Sequence, residues 1–247
     1  MGVKQIVLTP SQSKRLIGMG VSSFAPVRER MESGIIVVTK GTTNRYVAEE
    51  LLGIDLSRYP FAWGVVNSPK ARRDKDDIGE IVIVDGEMTE MDLSQATSSL
   101  STGDIYIKGG NALDYRAGKV GILSTSPVGG TIGKAYAKLI GTRVRLLLPI
   151  GLEKCISTPV DTASQMLGSP DIQATGLPTM YPVRGDIFTE IEALKEVLGE
   201  VQVHHVASGG ISDYQGAVRL LVRGDDEAIG LLEKIEKRLS REPQYRG

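Results

Sequence analysis

"GIIVVTKGTTNRYVAEELLG", residues 34–53, decides the fold. Residues 35–39 are β-branched throughout, with no polar position between them. A run that is apolar at every position suits a strand covered on both faces, as in a parallel sheet. The small residues of "KGTT" (40–43) then make a turn, and "NRYVAEELLG" reads as a helix stopped by Gly53. Strand, small-residue turn and helix form the repeating unit of an α/β domain.

The unit recurs along the chain. Upstream, Thr9 and Pro10 open a helix over "SQSKRLIGMGVSSF", and "APVRERMESG" reads as a second, shorter one. Downstream, "FAWGVV" (61–66), "EIVIVDGE", "DIYIK", "KVGIL" and "RVRLLLPIG" read as strands. "MDLSQATSSL" and "TIGKAYAKLIG" read as the helices between them, and the charged stretch 67–79 reads as a surface loop. From 156 to 182 the character changes: four prolines and many small polar residues suggest a connector. Beyond it, "DIFTEIEALKEVLG" has helical spacing, "VQVHHVASGGI" and "GAVRLLVRG" can pair as antiparallel strands, and "DDEAIGLLEKIEKRL" is an amphipathic helix.

With 247 residues, the chain can build a substantial core. A formal net charge of −1 and 5% aromatic residues argue against a nucleic-acid surface. No run reaches the length of a membrane span, and the opening residues lack a signal-peptide cleavage pattern. The single cysteine, Cys155, fits a reducing compartment. His204 and His205 are adjacent on a strand and so face opposite sides, which does not suit one metal.

Three turns invite a ligand. "KGTTN" places Lys40, Gly41, Thr42 and Thr43 between strand and helix, where backbone N–H groups meet anions. In "IVIVDGE", Asp85 and Glu87 follow a strand and could serve as a general base, the alternative being a plain Asp-Gly turn. In "IYIKGGNALDYR", Lys108 ends a strand and Gly109, Gly110 and Asn111 follow, with Asp114 nearby. There one positive charge stands beside backbone that a ligand can approach closely. "STSPVGGTIGKA" fails as a P-loop, because Val128 stands where a glycine is needed and Ala135 follows Lys134. Gly129, Gly130 and Thr131 still offer a helix N-terminus to an anion.

Taken in order, "GIIVVTKGTTNRYVAEELLG", "IVIVDGE" and "IKGGNALDYR" resemble the superfamily of ribose-5-phosphate isomerase A, glucosamine-6-phosphate deaminase and the CoA transferases. The resemblance covers most of residues 34–150. Asp85, Gly86, Lys108, Gly109, Gly110 and Arg116 match the family's motifs. Met88 stands at the second aspartate, Asn111 at the third glycine and Ala117 at the catalytic glutamate, which implies weak or no isomerase activity.

The expected fold is therefore α/β: a Rossmann-like, mostly parallel sheet with helices on both faces, plus a small C-terminal ferredoxin-like α/β subdomain. The expected division is 1–155 for the ligand-binding domain, 156–182 for the connector and 183–247 for the subdomain, which could act as a lid or as a contact in a homo-oligomer. The expected function is that of a cytoplasmic enzyme acting on a phosphorylated sugar or related small anionic metabolite. A metabolite-binding or regulatory protein and a CoA-linked transferase are the alternatives. Asp85, Lys108, Asp114 and Glu87 are the candidate catalytic residues, and no metal, cofactor, nucleic acid or membrane is expected.

Overall fold

The computed structural model describes residues 1–59, 61–62, 78–172 and 177–243. Most of the strand expected at 61–66 and of the charged loop at 67–79 lies outside the described residues. The fold is α/β with mixed sheets, and the largest has six strands.

The center of that sheet is the run that opened the sequence, β2 (Ile35–Val38). It lies parallel to β5 (Ile105–Ile107), which is parallel to β8 (Arg145–Pro149), which is parallel to β10 (Asp186–Phe188). Ile36, Val37, Val38, Ile105, Tyr106 and Ile107 are fully buried, so both faces of β2 and β5 are covered. This is what the uninterrupted apolar runs predicted. Packed around the sheet are α1 (Pro10–Ser23), α3 (Thr42–Leu52) and α7 (Glu190–Leu198), with α1 against both others, and α2 (Ala25–Glu32) against β2. Separately, α4 (Leu93–Ser99) touches β2 and α5 (Gly130–Gly141). Several helices start where side chains can close their free N–H groups. Thr9 with Gln12, Asp92 with Gln95, and Thr189 with Glu192 each form a reciprocal capping box.

On the other side of β2 the direction reverses. β3 (Ile81–Val84) runs antiparallel to β2, and β4 (Glu87–Thr89) antiparallel to β3. The two are joined by Asp85 and Gly86, both at positive φ (50° and 84°), the requirement of a tight two-residue hairpin. Asp85 is therefore a turn residue. Its Oδ1 accepts the Gly34 N–H at 2.7 Å, and its own N–H donates to the Gly34 carbonyl at 3.0 Å. This corrects the grouping of Asp85 with Lys108 as catalytic residues: Gly34 precedes β2, whereas Lys108 follows β5, so the two lie at opposite edges of the sheet. An apolar run buried on both faces carries no mark of its direction, which is why the pattern did not distinguish the two.

The C-terminal division is also corrected. β6 (Ala112–Asp114), β7 (Lys119–Ser124) and β9 (Thr179–Val183) form an antiparallel sheet, with α6 (Val160–Leu167) packed on β9. The proline-rich stretch is thus built into the fold; Pro182 is tolerated because β9 is an edge strand. β10 belongs to the large sheet. β11 (Gln202–Ser208) and β12 (Val218–Gly224) pair antiparallel as expected, but their third strand is β1 (Gly2–Leu8), from the other end of the chain. α8 (Asp226–Leu239), capped by Asp225, packs on β1 and β12. Residues 183–247 are therefore not a unit by themselves. No helix among the described residues is long and apolar enough to cross a membrane.

If Asp85 serves the hairpin alone, Asp85→Ala should lower stability by about 1–3 kcal/mol, from loss of the left-handed preference and of an acceptor. Urea denaturation measures this. Stabilization of the same variant by added sugar phosphate should match that of the parent protein.

Candidate functional site

Four parallel strands end at one edge, and polar residues follow three of them directly and β8 after Ile150, Gly151 and Leu152. β2 leads to Thr39 and Lys40, β5 to Lys108, β8 to a 3-10 turn at Leu152–Lys154, and β10 to Thr189 and Glu190. Ligands of open α/β sheets bind beyond such strand ends.

Lys108 and Lys154 stand together here. Burial pulls Lys108 down to about 8; the charge of Glu80 opposes this, and that of Lys154 adds to it. Lys154 is also lowered by burial, against Glu153 and Glu190, and its Nζ donates to the Gly110 carbonyl at 2.8 Å. Lys14, buried on α1, is lowered by burial too, with Glu153 acting to raise it and Lys154 and Arg45 to lower it. Glu190 is fully buried, and its carboxyl is raised well above the usual range by burial first and then by Glu153. Its Oε2 accepts the Leu152 N–H at 3.0 Å, while its Oε1 has no partner. Glu153 folds its carboxylate back over Gly151, filling the space that a side chain there would need, and its buried Oε2 also lacks a partner.

A second cluster of incomplete hydrogen bonding lies at the start of α3. The helix begins after Gly41 with no side-chain cap. Asn44 turns inward instead: its Nδ2 donates to the Thr39 carbonyl at 2.9 Å, and its Oδ1, fully buried, has no partner. Thr43 Oγ1 is buried without a partner as well. Gly41 and Gly109 both border Asn44. A Cβ on Gly41 would lie 3.6 Å from Asn44, and one on Gly109 3.7 Å from Asn44 Oδ1, ordinary contacts in both cases. Gly41 has an extended φ of 172°, and Gly109 is not at positive φ. Neither packing nor backbone requires these two glycines.

The other expected site residues sort differently. Gly110 is needed by packing, since a Cβ there would meet Val120 at 2.1 Å. The side chain of Asn111 is structural, with Oδ1 accepting the Leu123 N–H at 3.0 Å. Gly129 and Gly130 both have positive φ, and the Tyr181 ring occupies the space beside Gly129. The hydrogen bond from that turn to the central sheet is from the Tyr106 hydroxyl to the Thr131 carbonyl, at 3.3 Å. Asp114 sits on the hairpin between β6 and β7 and accepts the Ala117 N–H at 3.1 Å. Glu87 is exposed on β4, beyond the Asp85 turn and away from Lys108. The site thus keeps Lys40, Gly41, Thr42, Thr43, Lys108 and Gly109, and adds Lys14, Asn44, Glu80, Glu153, Lys154 and Glu190. In "IGLEKC" (150–155) Glu153 and Lys154 come only after Ile150, Gly151 and Leu152, so the rule that singled out Lys108, charge directly after an apolar strand, does not reach them. Lys14 carried no signal, because only packing brings α1 to this edge.

Among the described residues, no group of three or more His, Cys, Asp or Glu side chains could hold a metal ion. No protein family, curated protein or solved structure matches this chain.

Two outcomes follow. Gly41→Ala and Gly109→Ala should leave stability unchanged or raise it by about 0.4–1 kcal/mol, because each costs only unfolded-chain freedom. Both should nevertheless weaken binding of sugar phosphates in a calorimetric titration; unchanged binding would make these positions plain turns. Glu190 has its pKa raised on folding, so its contribution to stability is fully present below the ordinary glutamate value and is lost as pH rises through the raised one. Glu190→Gln should flatten that decline in chemical denaturation measured across the range from pH 4.5 upward.

Proposed function

We propose that this chain is an enzyme acting on a phosphorylated sugar or a related small anion, held at the carboxyl edge of a Rossmann-like parallel sheet. The observation that carries the reading is the convergence at one edge of half-buried Lys108 and Lys154 and buried Lys14 with a buried glutamate whose Oε1 has no partner. Lysine charges suit the anion. The open N-terminus of α3, with Thr43 beside it, suits the same group. Unpartnered acceptors on Asn44, Glu153 and Glu190 suit a ligand that also brings hydroxyl donors.

The carboxylates offer the proton transfer that an aldose–ketose interconversion needs. The base that the resemblance lacks at Ala117 would then come from Glu153 or Glu190 at the ends of β8 and β10, or from Glu80 at the start of β3. A carboxyl raised toward neutral pH both accepts and returns a proton effectively. One observation favors a non-catalytic binding protein instead: Glu190 has no exposed surface.

The tests separate the two. Ribose 5-phosphate at 100 times its dissociation constant should add about 2.7 kcal/mol to stability, and Lys108→Ala should abolish that gain. Binding with no aldose–ketose turnover in a direct assay selects the binding protein. Turnover that Glu190→Gln or Glu153→Gln removes selects the enzyme, and absence of binding sinks both. Affinity should fall as pH rises through about 8, where Lys108 loses its proton. Lys108→Arg should retain binding above that pH, because a guanidinium stays charged.

A further inference from the structure

One groove gathers basic side chains from separate elements. It lies between the β6–β7 hairpin, α7 and β11, across the 3-10 turn from the lysine cluster. Its volume, about 720 Å³, falls in the ordinary range for small-molecule sites. Leu152 and Ile191, both buried, supply an apolar floor. Arg116, Lys195 and His204 come to its walls from three separate elements. Among the described residues these three make no side-chain hydrogen bond or ion pair. Asp114 is the acidic side chain lining the groove, and its Oδ1 is already used by the Ala117 N–H. The walls are braced, since the Tyr115 hydroxyl on the hairpin donates to Glu192 Oε1 on α7 at 2.7 Å.

We propose that this groove is a second binding site, for an amphiphilic organic anion: an apolar body on the Leu152–Ile191 floor, with a carboxylate, phosphate or sulfonate met by Arg116, Lys195 and His204. Two free cations and an imidazole, from three elements, over an apolar floor fit such a ligand better than a bare inorganic anion, which has no use for the floor, or a neutral apolar molecule, which leaves the two charges unmet. The site shares the 3-10 turn and the start of α7 with the edge proposed above and stands whether or not that edge is catalytic.

Cys155, the chain's single cysteine, is exposed and lines the groove, so it reports occupancy directly. The probe is 8-anilinonaphthalene-1-sulfonate, an aromatic body with one sulfonate, titrated by fluorescence into the folded protein. Alkylation of Cys155 by iodoacetamide is followed in parallel by intact mass. One molecule should bind per chain and slow alkylation several-fold. Arg116→Glu with Lys195→Glu should weaken binding at least tenfold and restore the alkylation rate, with little effect on folding because both residues are exposed. Lys108→Ala should change neither. Binding that survives the double charge reversal, alkylation that ignores the probe, or loss of binding in Lys108→Ala would each overturn the proposal.

Discussion

A strand covered on both faces cannot carry charge along its length, and that constraint organizes this protein. β2 and β5 carry no charged residue, so the first place either can present a charge is where it ends. Because β2, β5, β8 and β10 are parallel, those ends fall on one edge. The charges excluded from the sheet are concentrated there, and Lys14 of α1 is brought to the same place. Desolvation then acts on all of them at once, pulling Lys14, Lys108 and Lys154 down and pushing Glu190 up.

A second group of charges, partly buried, is matched charge for charge. Arg15 on α1 meets Glu49 at 2.6 Å and Glu50 at 3.1 Å on α3, and Glu242 of the C-terminal tail at 2.8 Å. Those partners raise its pKa despite burial. The ring of Tyr46 lies between Arg15 and Arg45, 4.6 Å from each guanidinium. Here positive and negative groups are matched and the result is structural, a tie between the tail and the helix layer. At the sheet edge the matching is incomplete: oxygens of Asn44, Glu153 and Glu190 and the Thr43 hydroxyl are buried without partners. Unmet hydrogen bonds in a buried site cost stability, so each has a cause, such as a catalytic role or a bound water, ion or ligand.

The two chain ends are joined in one small sheet, with β12 taking β1 on one side and β11 on the other. β11 also walls the groove that holds Cys155, so an element distant in sequence from the sheet edge is held close to it.

Much of this was legible from residues alone. Continuous apolar runs identified β2, β3 and β5, the cap at Thr9 marked where a helix begins, and Lys108 was placed by its position at the end of a strand. Those features are local, set by the spacing of side chains and by the conformations that proline and glycine permit. Strand direction was not local. The same buried run serves a parallel or an antiparallel neighbor, and only the pairing of Ile35 with Val84 puts Asp85 beside Gly34. Nor could spacing show that β1 completes a sheet with strands some 200 residues away, or that Lys14, Glu153 and Glu190 share one environment. Such meetings depend on which apolar faces cover one another, and that is decided only when the whole chain packs.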